Sequence, residues 1–286
     1  MKNIPVRNIK SKQEAETAES FSIRDVGKML HGKRMEQEIH RHDHYFLLVL
    51  KKGKGKHTID MTEYSIRNNS VFFLRPGQVH KLTLEPGCSG FLMQFGRDFY
   101  SAGKDSSKQV FRSAGLRNFC RLNKIHVAKV FTLLELVSAE YLKRQTGYID
   151  VIKSYLEIFF IELLRSRHSD SLKPAKNSAY LQERFEEFSE LLETNIRRFK
   201  QVSDYAKLMN MSVYQLNSIT RSVLGKTCSG LIDEQIILEA KRYLLANAGQ
   251  VNQIAFHLGY EDISYFIRFF KKHTGFTPGA FREKFK

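Results

Sequence analysis

Residues 251–275 read VNQIAFHLGYEDISYFIRFFKKHTG, and this stretch decides how the C-terminal part of the chain folds. Ile254 and Ala255 lie in a short predicted helix, and Gly259 follows that helix at a turn that requires a positive φ. Asp262 is a favourable N-cap for a second helix. Gly275 comes directly after the second helix, where a left-handed C-cap is expected. The stretch therefore predicts two helices joined by a tight turn.

The same pattern occurs a second time upstream, over residues 202–225, which read VSDYAKLMNMSVYQLNSITRSVLG. Its turn residue is Asn210, which tolerates a positive φ. Apolar residues spaced by three and four hold each second helix against the first helix, so its outer face is available to enter a major groove of DNA. Three pairs match at a separation of fifty residues: Leu216 with Phe266, Ile219 with Phe269, and Gly225 with Gly275.

The C-terminal run from Lys241 to Pro278, which contains IAFHLGY, YFIRFFKKHTG and TP, resembles the signature of the AraC-type transcription regulators. The resemblance covers residues 178–286. It implies a seven-helix DNA-binding domain in which a long helix over 232–247 connects the two motifs, with double-stranded DNA as the partner. The second helix of each motif would enter one of two successive major grooves, which lie about 34 Å apart.

The resemblance also indicates which side chains would face DNA. Arg268 is the best candidate for a guanine contact, because a guanidinium can bind O6 and N7 together, and Asn217 could pair with adenine. Lys226, Thr227, Lys271 and Lys272 lie near helix ends and would contact phosphates. By position, the two reading helices would present Val213, Tyr214, Asn217, Ser218 and Arg221, and Ile263, Ser264, Tyr265, Ile267 and Arg268.

The N-terminal part has a different texture. Short apolar runs over 45–50, 57–60, 71–74 and 90–95, separated by turn signals, predict an antiparallel sandwich or barrel. Apolar residues with a helical period over 126–144 and 148–167 predict a helical hairpin. The expected fold class is α+β, with a cupin-like N-terminal β-barrel and helical hairpin followed by an all-α domain with two helix-turn-helix motifs.

Histidines mark one region of the predicted barrel. His40 and His42 form an HxH pair, and His80 follows a Pro-Gly turn, an arrangement that resembles the cupin barrel. In metal-binding cupins a Glu completes the set, but that position is Phe46, which disfavours a metal-dependent cupin enzyme. Three histidines could still hold zinc or iron. Sensor domains of AraC-type regulators usually lack the metal, so we expect no metal or cofactor, and histidines that are structural or line the pocket of a small-molecule effector.

The expected organisation is an N-terminal arm (1–20), a sensor and dimerisation domain (21–168), a linker (169–178) and the DNA-binding domain (179–286). The resemblance further implies an activator, not an enzyme, that forms a homodimer through the hairpin and contacts RNA polymerase. Control by a protein partner instead of a small molecule is an alternative. The effector could be polar, aromatic or fatty.

Composition limits the other readings. The chain has a formal net charge of +16. Residues 178–286 hold 15 basic and 12 acidic residues, a net charge of +3, so residues 1–177 carry the remaining +13. The overall charge is therefore not the footprint of the DNA-binding domain. No apolar run approaches the ~20 residues that span a membrane, and the polar N-terminus argues against a secretory signal. Three widely spaced cysteines suggest neither a zinc site nor disulfides, which fits an expected cytoplasmic location with no membrane partner.

Overall fold

The computed structural model describes residues 5–7, 21–96, 99, 105–168, 176–246 and 249–285. The chain divides into two compact units, one over 5–172 and one over 173–286. We call them the sheet unit and the helical unit. The first combines β-sheets with helices and the second is all-helical, so the predicted α+β class is confirmed.

The sheet unit contains two five-stranded sheets within its described residues. One has the strand order β1-β3-β8-β5-β6 and the other β10-β7-β4-β9-β2. Neighbouring strands are antiparallel except β1 and β3, which run parallel. The strands are β1 (Val6–Arg7), β2 (Phe21–Asp25), β3 (Met35–His42), β4 (Tyr45–Lys52), β5 (Gly55–Ile59), β6 (Thr62–Ile66), β7 (Ser70–Leu74), β8 (Val79–Leu84), β9 (Ser89–Phe95) and β10 (Phe119–Arg121).

Strand β4 separates two hydrophobic cores, because successive side chains of a strand point to opposite faces. Phe46 and Leu48 pack with residues of both sheets, including Leu82, and form the core between the sheets. Leu47 and Val49 pack on the other face against helices. This explains why the whole run 46–50 is buried and shows no polar alternation. The helices of this unit are α1 (Val26–Leu30), α2 (Asp105–Gly115), α3 (Lys124–Lys143) and α4 (Tyr148–His168).

Helices α3 and α4 form the hairpin that the apolar period predicts. Their shared apolar side joins the core of the sheet unit through residues such as Leu134 and Phe160. A buried carboxylate also links the two helices. Burial by itself would raise the pKa of Glu162, but hydrogen bonds from Lys129, His126 and Arg165 lower it to about 2.

The helical unit contains seven helices within its described residues, as the resemblance implies. The long helix α8 contacts helices of both predicted motifs, which it connects. Its apolar residues Ile232, Ile236 and Leu244 are buried in the process. The helices are α5 (Lys176–Asn195), α6 (Val202–Leu208), α7 (Val213–Leu224), α8 (Cys228–Ala246), α9 (Val251–His257), α10 (Ile263–Thr274) and α11 (Pro278–Phe285).

Both predicted turns have the expected backbone. Asn210 has φ 52° and Gly259 has φ 76°, the left-handed region that most side chains disfavour. After each turn the chain donates back to the small residue of the first helix, from Met211 N–H to Ala206 O and from Tyr260 N–H to Ala255 O, both 2.9 Å. The turns of the two motifs therefore share this backbone geometry.

The ends of the second helices also follow the sequence pattern. Ser212 caps α7 by accepting from Gln215 N–H, and Asp262 caps α10 by accepting from Tyr265 N–H. Gly225 and Gly275 end these helices in the left-handed conformation. Because caps satisfy backbone groups that a helix leaves open, these residues set where each reading helix begins and ends.

Some boundaries differ from the sequence prediction. Val6–Arg7, assigned to the arm, pair with β3, while residues 1–4 and 8–20 of the arm lie outside the described residues. Residues 176–178, assigned to the linker, form the first turn of α5, and 169–175 lie outside the description. The HxH segment is part of β3. Across the residues that the structure describes, none of the helices is long and apolar enough to cross a membrane.

Candidate nucleic-acid interface and histidine cluster

Helix α7 exposes most of the side chains predicted to read DNA in the first motif. Val213 and Tyr214 are 43% and 83% exposed although both are hydrophobic, and Ser218 and Arg221 are exposed as well. The opposite side of the helix is held by Leu216 and Ile219, which are buried. A large apolar side chain that stays exposed beside a buried stripe is available for a partner.

Asn217, which is predicted to pair with adenine, is hydrogen-bonded within the helical unit. Its Oδ1 accepts from Cys228 N–H (3.0 Å), at the first residue of α8, and its Nδ2 donates to Val213 O (3.1 Å). Thr227 is occupied in the same place, since its Oγ1 accepts from Gly230 N–H (3.1 Å). Asn217 and Thr227 therefore both cap the start of α8, and the adenine pairing predicted for Asn217 would compete with these contacts.

Lys226 is also engaged within the unit. Its Nζ lies 2.7 Å and 2.9 Å from the carboxylate oxygens of Glu234. Both side chains remain about half exposed. A phosphate contact by Lys226 would have to replace or share this surface ion pair, which is worth little in water.

Helix α10 presents the second set of predicted residues. Ser264, Tyr265 and Arg268 are exposed, whereas Ile263 and Ile267 are half-buried. The side chain of Arg268 is 70% exposed, and its Nη2 lies 4.0 Å from the N-cap carboxylate of Asp262. At this distance the ion pair is weak, so the guanidinium can reorient towards a base edge.

The last turn of each reading helix carries cations. Arg221 occupies this place in α7, and Lys271 and Lys272 occupy it in α10; all three are exposed. The arrangement resembles a base-reading face followed by a phosphate-binding end. The assignment of single residues to bases or phosphates stays a prediction.

The predicted histidines lie together inside the sheet unit. His40 and His42 on β3 and His80 on β8 point into the core between the sheets. The strand register pairs His40 directly with His80, and His42 lies on the same face because it is two residues further along β3. His57 on β5 joins them, a residue that the sequence reasoning did not select. The alternation of His57 with the buried Ile59 could have indicated it. We call His40, His42, His57 and His80 the histidine cluster; all four are buried.

Hydrogen bonds order the rings of the cluster. His57 Nε2 lies 2.8 Å from His80 Nδ1, and His80 Nε2 lies 2.9 Å from His42 Nε2. A neutral imidazole has one donor and one acceptor nitrogen, so these bonds form a single directed chain. Desolvation by burial, helped by the nearby His40, lowers the pKa of His57 to about 3. His57 is therefore neutral at physiological pH.

Three members of the cluster could hold a metal ion. One ligand nitrogen each of His40, His42 and His80 lies within 4.8 Å of the others. His40 Nδ1 donates to Glu38 O (2.7 Å), which leaves its other nitrogen as the possible ligand. Phe46 stands where a metal-binding cupin has a carboxylate, and its ring centroid lies 5.1 Å from those of both His42 and His80. The donor set is thus three imidazoles, and the absence of a metal stays a prediction.

Two family models match the chain, one in each unit. Residues 28–131 match an AraC-like ligand binding domain, which includes the histidine cluster. Residues 205–284 match a helix-turn-helix domain, which includes both reading helices.

Relatives of the chain include regulators that match most of its length. It is 20% identical over 257 residues to the uncharacterized HTH-type transcriptional regulator YfiF of Bacillus subtilis, covering 87% of this chain and 79% of YfiF. It is 20% identical over 259 residues to the HTH-type transcriptional activator RhaR of Yersinia pseudotuberculosis, and the match covers 86% of this chain and 84% of RhaR. The bifunctional transcriptional activator/DNA repair enzyme AdaA of Bacillus subtilis is 29% identical over 98 residues, and the chain spans 46% of its length. Among solved structures, ToxT of Vibrio cholerae matches 92% of this chain and 97% of its own at 17% identity and a TM-score of 0.43.

Proposed function

Because the chain belongs to the AraC-type family of DNA-binding transcription regulators, with a ligand-binding domain ahead of its helix-turn-helix domain, we propose that it activates transcription under the control of a small-molecule effector. The effector binds in the sheet unit, the helical unit reads DNA, and the chain has no enzymatic activity of its own. The histidine cluster is the observation that carries the effector proposal.

The cluster places four polar side chains in a core that also contains apolar residues such as Leu48 and Leu82. Its neighbours Phe46 and Phe72 contact the imidazole rings directly. Burying a polar atom costs free energy unless it is hydrogen-bonded. Yet His57 Nδ1, and Nε2 of the adjacent buried His44, make no hydrogen bond with the described residues. These nitrogens favour a small molecule whose polar groups bind imidazoles and whose apolar part contacts the phenylalanines.

A thermal-shift screen of the full-length protein against sugars, aromatic acids and fatty acids, followed by calorimetry of each hit, tests the effector site. A ligand at about 100 times its Kd should stabilise the protein by about 2.7 kcal/mol. We expect binding to be lost in His57→Leu and kept in His31→Asn, which changes an exposed histidine. A ligand that binds both variants equally would place the effector elsewhere, and a screen without hits would favour control by a protein partner.

The activator role rests on the relative RhaR, whose name describes an activator. Transcription by purified RNA polymerase from promoters that carry the selected DNA motif tests this proposal. We expect the protein to increase the transcript level, and more so with its effector. A lower transcript level would identify a repressor instead.

The homodimer proposal involves one face of α3. Ile125 and Leu136 are 81% and 40% exposed, and they lie on the same side of the helix with the exposed Ala128 and Thr132 between them. Sedimentation equilibrium should show a dimer that Ile125→Glu/Leu136→Glu dissociates. Leu142→Glu, which changes a 76% exposed leucine on another side of α3, should leave the dimer intact. A monomeric wild-type protein would contradict the proposal.

A further inference from the structure

The positive charge of this DNA-binding protein lies mainly outside the part that reads DNA. Residues 178–286 carry a net charge of +3, and residues 1–177 carry +13. The part of the chain that contains the reading helices therefore carries only the smaller share of the net charge. The larger share includes the run KKGKGK at 51–56, which the structure places at the hairpin between β4 and β5.

Three turns of the sheet unit meet at this hairpin. Gly53 N–H donates to Asn68 Oδ1 (3.0 Å), and Asn69 N–H donates to Lys51 O (3.4 Å), so the turn between β6 and β7 packs against it. Leu122 N–H in turn donates to Asn69 O (2.9 Å), which adds the segment between β10 and α3. One end of the sheet unit is therefore built from these three turns.

Cations from all three turns are exposed at this end, and none of them forms an ion pair with a described residue. The neighbouring carboxylate Glu85 is paired with Arg34 instead, at 3.7 Å. Helix α3 also starts here and has no acidic residue in its first turn, so its dipole adds positive potential. We call these six residues the basic end: Lys51, Lys52, Lys54, Arg67, Arg121 and Lys124.

The last described helix of the sheet unit also ends beside the basic end. Ser166, near the end of α4, accepts from Asn123 N–H through its Oγ (3.0 Å). From α4 the chain continues through residues 169–175 to α5, the first helix of the DNA-binding unit. We propose that the basic end binds backbone phosphates of DNA that flank the sequence read by α7 and α10. This rests on DNA binding by the helical unit.

The chemistry of the basic end favours DNA phosphates as its ligand. Lysines and arginines on exposed turns that have no ion-pair partner among the described residues can neutralise phosphates, and each neutralised phosphate steepens the salt dependence of DNA binding by about 0.9. Such contacts carry no sequence information, so they would add affinity without changing the motif that the protein selects.

Full-length wild-type protein and Lys52→Gln/Lys54→Gln are compared on one motif selected by the wild-type protein. The motif is placed in a duplex of about 20 bp, which covers two successive major grooves, and in one of about 40 bp with flanks on both sides. The logarithm of the affinity is plotted against the logarithm of the salt concentration. On the long duplex, we expect the slope of this plot to be shallower by about 1.8 for the variant than for the wild type. Between about 50 and 200 mM salt, the wild type then loses about tenfold more affinity than the variant. On the short duplex the slopes should be equal.

Two control variants separate phosphate contacts from general charge effects. Lys52→Arg/Lys54→Arg should keep the wild-type slope. Lys143→Gln/Lys153→Gln removes the same charge at the other end of the hairpin, where Lys153 lies over the Phe99 ring, and should also keep it.

Equal slopes for wild type and Lys52→Gln/Lys54→Gln on the long duplex would overturn the proposal, as would an equal loss in Lys143→Gln/Lys153→Gln. Binding to phosphatidylserine vesicles that is lost in the Lys52→Gln/Lys54→Gln variant, with DNA slopes unchanged, would assign the basic end to a membrane surface. Failure of the wild-type protein to select any motif would instead count against the function of the helical unit.

Discussion

Replacing Gly259 by alanine should damage the second motif for two separable reasons. Gly259 has φ 76°, and a side chain in the left-handed region costs about 1 kcal/mol. An alanine Cβ would in addition lie 2.1 Å from Arg197 O and 2.7 Å from Lys200 Nζ. Lys200 can move, but the carbonyl belongs to the backbone that follows α5.

The steric part can be worked out from this contact. A Cβ needs more than 3 Å from a carbonyl oxygen, so the turn and the backbone that follows α5 must separate by about 1 Å. Forcing an extra carbon into a packed site costs about 1–3 kcal/mol. We therefore expect Gly259→Ala to lose about 2–4 kcal/mol and to weaken DNA binding, because α10 is carried by this turn.

Gly225→Ala is the matched control. Gly225 has a similar φ of 70°, but nothing lies within 4 Å of its added Cβ. It should therefore lose only the backbone contribution of about 1 kcal/mol. Hydrogen exchange of peptides from α9 and α10, followed by mass spectrometry, measures the local free energy of opening in the full-length protein.

The two variants give a clear comparison. We expect much faster exchange of the 251–275 peptides in Gly259→Ala than in wild type, and no change of these peptides in Gly225→Ala. Equal losses in the two variants, each measured in its own motif, would refute the steric reasoning. Wild-type protection in Gly259→Ala would refute the packing of the turn against the backbone of Arg197.

Three further predictions concern single side chains. Arg268→Ala should weaken binding to the selected motif by about 1–3 kcal/mol and lower the sequence specificity at one base position. Lys271→Ala should instead weaken binding to all DNA sequences alike. If a filter-binding assay shows that Arg268→Ala loses as much affinity for random DNA as for the motif, Arg268 contacts only phosphate. Asn217→Ala should lower the free energy of unfolding by about 1 kcal/mol, because the start of α8 loses its cap, and should leave the selected motif unchanged. A changed motif would support the predicted adenine contact. Since the pKa of His57 falls from 6.5 to about 3 in the fold, its neutral form is favoured, and stability should fall by up to about 1.4 kcal/mol per pH unit as pH drops below 6.5 towards 3. Urea unfolding at several pH values should show a smaller fall in His57→Leu, and parallel curves would contradict this.

The amino-acid sequence alone determined most of the helical unit. Its turns, caps and apolar positions are local features, and a positive φ at Gly259 or an N-cap at Asp262 depends on residues a few positions away. The repeat at fifty residues then made two such units recognisable. Within the sheet unit, the apolar period of α3 and α4 and the strongly apolar strand β4 were likewise visible.

The weaker strands were not found in the sequence for a physical reason. β3 reads MEQEIHRH and carries exposed glutamates, and it forms a strand because β8 supplies its hydrogen-bond partners from 38 to 49 residues away. A strand has no internal hydrogen bonds, so its local sequence can be indistinct when its neighbours stabilise it.

Only the tertiary structure decided which side chains meet. Residues as distant as His42 and His80 become hydrogen-bonded because β3 and β8 are adjacent strands, and His57 joins them from a third strand. The same holds for Asn217, whose amide oxygen meets the start of α8 only once the helical unit is packed. Local sequence encodes helix ends and turns, whereas contacts across strands and helices depend on how the whole chain packs, and these contacts determine which polar residues remain available for DNA or an effector.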